Sequence, residues 1–308
     1  MLVHFGIDLI RPEWEDSVVC IGTFDGVHYG HRALISRAVE LARESQTVSA
    51  LVTFDRHPAA TLAPERTPTS LGTLEQNVQL FRSLGVSICV ILPFDRAMSQ
   101  TPAEEFLQRI LIDKLRAKQL VVGHDFAMGK DRQGDSEWLK SRIGTEILQP
   151  VTLDGVRVSS SEIREAVRDG HVDRAARLLT RPYALRGIVV RGLQLGRTLG
   201  FPTINLARSG DQTVPGDGVY AGRTVTPHGT FLAAINVGVR PVLGGMPRIV
   251  EAYLLDYPGD DLYGAPVEIQ FVDRIRDEEP LPDLVELQKR IALDVEEVRK
   301  RVTLSELS

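Results

Sequence analysis

The sequence predicts an α/β domain on a parallel sheet over residues 1–182, followed by an antiparallel β-barrel with a terminal helix over residues 183–308. Three observations carry this prediction. Short apolar runs alternate with helical patterns in the first part of the chain. Strand-like segments then follow one another without helices between them. The length of 308 residues also corresponds to about two domains.

The first part of the chain contains four apolar runs of the length of buried strands, at residues 18–21, 48–54, 88–92 and 120–122. Residues 31–44 carry apolar positions at helical spacing. Thr73 begins a capping box for a further helix that Gly85 can end, and Thr101 begins another. Strands and helices in alternation predict a parallel sheet with helices on both faces.

The second part begins after two short helical patterns and Pro182. Five strand segments are predicted there, at residues 184–190, 218–225, 231–237, 249–255 and 267–272. Turn residues separate them, which is typical of an antiparallel barrel or sandwich. A final helix is predicted from about Asp283 to Val302.

Composition and charge exclude several classes of protein. Hydrophobic residues make up 43% and charged residues 25%, as in ordinary soluble proteins. The net charge of −5 has no dominant block, so we expect no nucleic-acid or membrane partner. No apolar run has the roughly 20 residues of a membrane helix, and no signal-peptide pattern is present. Cys20 and Cys89 lie in apolar runs, so we expect reduced, buried thiols and a cytoplasmic protein of open oligomeric state.

Residues 22–31 read G-T-F-D-G-V-H-Y-G-H between a predicted strand and a predicted helix. Glycines let the backbone approach a ligand, and a helix N-terminus favours phosphate. His28 and His31 can both point at one anion. The pattern suits nucleotidyl transfer, in which a phosphate attacks the α-phosphorus of ATP and positioning carries the rate. A metal-binding pair or ordinary loop histidines are the alternatives.

Residues 192–205 read G-L-Q-L-G-R-T-L-G-F-P-T-I-N. Three glycines stand at intervals of four residues, at Gly192, Gly196 and Gly200. They predict a flap that lies close to a polyphosphate, with positive charge from Arg197. Thr203 and Asn205 face the same side of an extended segment and offer oxygen ligands to the Mg²⁺ that ATP carries. The alternative is a loop that only joins two barrel strands.

Glu251 lies within a predicted strand, on the same face as Ile249 and Tyr253. That face points inward or into a pocket, where a carboxylate is costly unless it is used. The alternative is an outward-facing barrel glutamate.

Both motifs resemble those of the prokaryotic bifunctional riboflavin kinase/FAD synthetase family, and the resemblance spans about residues 17–302. It implies a Rossmann-like nucleotidylyltransferase domain before a riboflavin kinase barrel. It also implies two reactions. Riboflavin and ATP give FMN and ADP, and FMN with a second ATP gives FAD and pyrophosphate.

The resemblance further implies the roles of individual residues. It assigns the ATP of the adenylyltransferase to Gly22, Phe24, Asp25, His28, His31, Ser160 and Arg164. His57 and Asp125 would contact FMN or the nucleotide, although His57 can also simply close a strand and Asp125 can be a solvated loop residue. The resemblance assigns the ATP of the kinase to Gly192, Gly196, Arg197, Gly200, Thr203 and Asn205. Of these, Thr203 and Asn205 would act through Mg²⁺. Glu251 would be the general base for the ribityl hydroxyl.

The sequence departs from the family pattern at a few positions. Residues 123–129, G-H-D-F-A-M-G, resemble the family's G-x-D/N-F-x-F-G loop, but Met128 replaces its second aromatic residue. Val239, Val242 and Leu243 stand where the family often has threonine, threonine and phenylalanine. Met128 supports one rival hypothesis, a monofunctional riboflavin kinase with a weakened adenylyltransferase domain. A second rival is a non-catalytic flavin-binding sensor.

Overall fold

The computed structural model describes residues 1–8, 10, 12–192, 195–239, 248–259, 261–279 and 282–303, with Leu195 and Arg197 described by their backbone only. The chain forms two compact units. The first comprises Met1–Pro68 and Leu74–Ser159, and the second comprises Thr69–Thr73 and Ser160–Ser308. The functional boundary near residue 182 stays a prediction.

The described residues of the first unit form ten strands. They are β1 (Leu2–Phe5), β2 (Ser17–Ile21), β3 (Val48–Phe54), β4 (Ile88–Leu92), β5 (Ala117–Gly123), β6 (Ala127–Met128), β7 (Gly134–Asp135), β8 (Gly144–Leu148), β9 (Thr152–Leu153) and β10 (Val156–Arg157). Six of them form one parallel sheet in the order β1-β4-β3-β2-β5-β8. The predicted parallel sheet is therefore confirmed. The edge strands β1 and β8 escaped prediction because their partly exposed residues form no continuous apolar run.

Helices cover both faces of this sheet. They are α1 (Tyr29–Glu44), α2 (Ala59–Leu62), α3 (Leu74–Ser83), α4 (Arg96–Ser99), α5 (Ala103–Glu105), a π-helical segment (Phe106–Lys114) and α6 (Ser136–Lys140). This unit has two clusters of buried apolar residues, and alternate residues of β2 belong to one or the other. Val19 and Ile21 pack with the π-helical segment, whereas Val18 and Cys20 pack with α1. The predicted capping box at Thr101 is wrong, because Pro102 is itself the residue before α5 and no side chain caps the helix. The hydroxyl of Thr101 donates to the carbonyl of Ala97 at 3.2 Å.

Cys20 and Cys89 are free, buried thiols in one core, as expected. Burial raises the pKa of the Cys89 thiol to about 12. Burial also raises the pKa of Cys20, with a further contribution from Cys89. Both thiols are therefore protonated at neutral pH and serve as small apolar groups.

The second unit places two helices, α7 (Ser160–Arg168) and α8 (Val172–Leu179), before a six-stranded barrel. The strands are β11 (Tyr183–Val190), β12 (Thr203–Arg208), β13 (Gly218–Thr226), β14 (Gly229–Val239), β15 (Arg248–Leu254) and β16 (Pro266–Arg276). They close antiparallel in the order β11-β12-β15-β14-β13-β16, which confirms the predicted barrel. A short α9 (Leu195–Thr198) lies between β11 and β12, and the predicted terminal helix is α10 (Leu284–Arg301).

The terminal helix α10 covers one outer side of the barrel. Asp283 caps it by accepting a hydrogen bond from the amide of Glu286 at 2.8 Å. Val298 packs in a cluster that includes Ala221 and Tyr253 of the barrel wall. Because Tyr253 and Glu251 are two residues apart on β15, Glu251 faces the same side as α10. Among the described helices, none combines the length and apolar character that crossing a bilayer requires.

Candidate active sites

The barrel brings Asn205 and Glu251 into direct register on β12 and β15, and Asn236 of β14 lies opposite Glu251 on its other side. Directly opposed residues share a face, with Cβ atoms about 5 Å apart. Thr203, two residues before Asn205, shares that face and lies opposite Tyr253. Three predicted kinase residues, Thr203, Asn205 and Glu251, are therefore gathered on one side of the barrel.

Two glycines of the 192–205 motif lie so close to neighbouring groups that a side chain there would displace them. A Cβ atom on Gly192 would overlap the side-chain carboxamide of Asn205, and one on Gly196 would overlap the carbonyl oxygen of Phe201. The amide of Phe201 donates to the carbonyl of Gly196 at 2.8 Å. Gly200 has a positive φ of 85°. The side chain of Arg197, predicted to supply positive charge, lies outside what the structure describes.

A cavity of about 250 Å³ lies between this barrel face and α10. Its barrel side includes Glu251 and Asn236, and its helix side includes Leu287 and Ile291. Most of the remaining lining is apolar, with a charged group at Arg276 and three more carboxylates. The cavity therefore joins an apolar space to a carboxylate, which suits a flat apolar molecule carrying a hydroxyl group.

A second cavity of about 670 Å³ adjoins the first, because Thr203 and Tyr253 line both. Two further tyrosines, Tyr257 and Tyr263, contribute aromatic surface to it. Arg191, just before the glycine motif, lies over the ring of Tyr263 at 5.2 Å. Aromatic surface beside a cationic group suits a nucleotide.

The donors at Thr203 and Asn205 are a hydroxyl and a carboxamide oxygen. These oxygen groups fit Mg²⁺, which proteins commonly bind through few side chains together with substrate phosphates. Within the described part of the chain, no three His, Cys, Asp or Glu side chains cluster as a metal site.

In the first unit, residues 22–28 form a tight turn between β2 and α1, and His31 lies in the first turn of α1. Phe24 has φ 46° and Val27 has φ 42°, both in the left-handed region. A left-handed conformation is strained for a β-branched residue such as Val27, and strained residues are concentrated at functional sites. The Phe24 side chain is only 1% exposed and packs on Phe81, so Phe24 can offer a ligand only its backbone.

His28 caps α1 and stacks on His31. The backbone amide of His31 donates to Nδ1 of His28 at 3.2 Å, and the two ring centroids are 3.6 Å apart. With Nδ1 accepting, neutral His28 carries its proton on Nε2. The two predicted histidines therefore form a single unit at the helix N-terminus.

His31 is held neutral. Burial, and then the neighbouring His28, lower the pKa of His31 well below its ordinary value. Its Nδ1 is buried and, among the described residues, has no hydrogen-bond partner. The pair therefore offers an incoming phosphate hydrogen bonds rather than a standing positive charge.

His57 and Asp125 follow β3 and β5, the two strands that flank β2 in the sheet. Because parallel strands end at the same edge, these residues and His28 come from three adjacent carboxyl ends. Nδ1 of His57 accepts from the amide of Ala59 at 3.1 Å, which orients the ring at the start of α2. The structure thus gathers three predicted residues at the point where a ligand binds in open α/β sheets.

Asp125 pairs with Arg157 of β10, whose Nη2 lies 2.6 Å from the carboxylate. Burial acts to raise the pKa of Asp125, but the hydrogen bond from Arg157 and the neighbouring His124 outweigh it, so the pKa lies below its ordinary value. Arg157 was missed from the sequence, because no motif marks a pair so far apart in the chain.

Ser160 and Arg164 belong to the second unit. Ser160 begins α7, and Arg164 is 7% exposed. Nε of Arg164 donates to the carbonyl of Thr69 at 2.6 Å, so its guanidinium already has a protein partner. The assignment of both residues, and of Gly22 and Asp25, to ATP stays a prediction.

Met128 is 7% exposed and lies in the core with Leu120 and Val122. Its replacement of an aromatic residue is therefore a change of packing. Val242 and Leu243 lie outside the described residues.

Comparison with known proteins covers nearly the whole chain. Family models for FAD synthetase and riboflavin kinase match residues 10–162 and 179–302. Relatives named bifunctional riboflavin kinase/FMN adenylyltransferase include one from Pseudomonas fluorescens, 36% identical over 96% of both chains. Another, from Escherichia coli K12, is 35% identical over 93% of both. A Bacillus subtilis 168 relative is 32% identical over 94% of this chain and 93% of its own.

A solved structure from Streptococcus pneumoniae, named a macrolide-efflux protein, matches with a TM-score of 0.89 at 30% identity. It covers 97% of this chain and 99% of its own length. The likeness therefore extends over both units.

Proposed function

The chain belongs to the bifunctional riboflavin kinase/FMN adenylyltransferase family, and we propose on this premise that it converts riboflavin to FMN and FMN to FAD. Each step uses one ATP. The observation that carries the kinase assignment is the direct register of Asn205 with Glu251, beside Thr203, at the meeting of two cavities.

In the kinase step, riboflavin occupies the smaller cavity and the nucleotide the larger one. Glu251 takes the proton of the terminal ribityl hydroxyl as its oxygen attacks the γ-phosphorus of ATP. The bond to the β-phosphate oxygen breaks, and FMN and ADP result. Thr203 beside both cavities lies where the transferred phosphoryl group must pass.

Thr203 and Asn205 would hold Mg²⁺ that enters with ATP. The bound ion would offset the charge of the β- and γ-phosphates. Because Gly192 has no side chain, the carboxamide of Asn205 fits closely beside the flap, and this placement supports the role.

In the adenylyl step, the phosphate of FMN attacks the α-phosphorus of a second ATP, and pyrophosphate leaves. No enzyme nucleophile is required. His28 and His31 donate hydrogen bonds to the phosphates at the N-terminus of α1. His57 and Asp125, at the adjacent strand ends, contact FMN or the nucleotide.

The two rivals lose support. The hypothesis of a weakened adenylyltransferase rested on Met128, which is a core residue. A non-catalytic sensor would have no use for a carboxylate in register with the phosphate-binding residues.

Chromatography of products from riboflavin and Mg-ATP tests the proposal. We expect FMN first and FAD later, and FAD directly when FMN is supplied. FMN without FAD would establish the monofunctional kinase, and flavin binding without any product would establish the sensor.

A further inference from the structure

A single row of directly paired residues crosses five strands of the barrel beneath α10. In order, they are Asn205, Glu251, Asn236, Val219 and Arg276. The last four of these residues contribute to the lining of the smaller cavity. Neighbouring strands are about 4.8 Å apart, so Arg276 stands about 14 Å from Glu251 along the barrel surface.

Arg276 ends this row in a nearly buried ion pair with Asp294 of α10. Nε and Nη2 of Arg276 lie 2.9 and 2.8 Å from the two carboxylate oxygens. The side chains are 14% and 6% exposed. Nη1 donates to the carbonyl of Asp277 at 3.0 Å, so all three guanidinium nitrogens bind protein groups.

This pair is poorly explained as a source of stability. Burying two charges costs about as much free energy as their attraction returns, and apolar replacements are often equally stable. What the pair does is fix the position of α10. Asp294 shares one face of the helix with Leu287 and Ile291, and all three line the cavity.

We propose that the Arg276–Asp294 pair is a positioning element of the kinase. It holds the wall of Leu287 and Ile291 at a set distance from the barrel, so that the flavin ring seats at a depth that brings the ribityl hydroxyl to Glu251. This inference rests on the proposed kinase function. Neither residue of the pair touches the reacting atoms.

A second ion pair between the same two elements provides a matched control. Nη1 of Arg301 on α10 lies 2.9 Å from the carboxylate of Asp273 on β16. Asp273 is absent from the lining of the cavity. Loss of this pair weakens the attachment of the helix without altering the cavity wall.

The test compares Asp294→Asn with Asp273→Asn in steady-state kinetics. For Asp294→Asn we expect KM for riboflavin to rise and kcat/KM to fall, the latter roughly ten- to hundredfold, since a small misplacement of the reacting hydroxyl costs about this much in rate. KM for ATP and the adenylylation of supplied FMN should stay at the wild-type level. Asp273→Asn should leave KM for riboflavin unchanged.

A double variant, Arg276→Met with Asp294→Leu, leaves no unpaired buried charge and should fold normally. Its KM for riboflavin should stay raised. A wild-type KM in the double variant, or an equal rise in Asp273→Asn, would overturn the positioning role. Failure of the wild-type protein to make FMN would instead refute the proposed function.

Discussion

Glu251 and Asn205 face each other across β15 and β12, although the chain builds two further strands between them. Their direct pairing places a carboxylate beside an amide oxygen on the side of the barrel that α10 covers. The kinase site is therefore assembled by strand register, and substitutions on this face should affect one activity only.

Glu251→Gln should abolish FMN formation, because the amide cannot accept the proton of the ribityl hydroxyl. Loss of a general base lowers kcat by about 10²–10⁴-fold. Adenylylation of supplied FMN should be unaffected. Chromatographic assays of both reactions check this, and a loss of both activities in a folded protein would contradict the division into two sites.

His28→Ala should have the opposite effect. It removes a donor to the ATP phosphates, which we expect to lower the rate of FAD formation about 10²–10³-fold, and it removes the cap of α1, at a cost of about 1 kcal/mol in unfolding free energy. FMN formation from riboflavin serves as the control. An unchanged rate of FAD formation would exclude the histidine pair from the site.

Gly192→Ala should impair the kinase, because the new methyl group would displace the carboxamide of Asn205. We expect KM for Mg-ATP to rise. The KM values of Gly192→Ala, Asn205→Ala and the variant that carries both substitutions should then be compared. If the glycine serves Asn205, the two effects should be far from additive. Additive effects would show that Gly192 acts elsewhere.

The lowered pKa of His31 predicts acid sensitivity. The unfolded chain protonates this residue near its ordinary pKa of 6.5, whereas the folded chain does so only at a lower pH. Stability is therefore complete above about pH 6.5 and falls as the pH drops toward the lowered pKa. Melting temperatures between pH 7 and pH 5 measure this slope. His31→Gln should flatten it, and an unchanged slope in that variant would contradict the prediction.

Secondary structure was predictable wherever an element is fully buried or clearly capped. The central strands β3 and β4 are buried along almost their whole length and are mostly apolar, and their bounds were found directly. The edge strands β1 and β8 were missed, because their partial exposure interrupts the apolar pattern. The cap at Thr101 failed because Pro102 has extended backbone, so the helix begins one residue later than the motif predicts.

The sequence by itself determined which residue types could bind phosphate, and the local spacing that gives Thr203 and Asn205 a common face. Spacing within one strand or one turn is a property of neighbouring residues, so it can be found along the chain. Only the tertiary structure decided that Glu251 faces α10, that Arg276 meets Asp294, and that Arg157 pairs with Asp125. Those relationships depend on strand register and on helix packing between distant segments of the chain. Register and packing are set by the burial of apolar surface across long sequence separations, so no local sequence pattern predicts them.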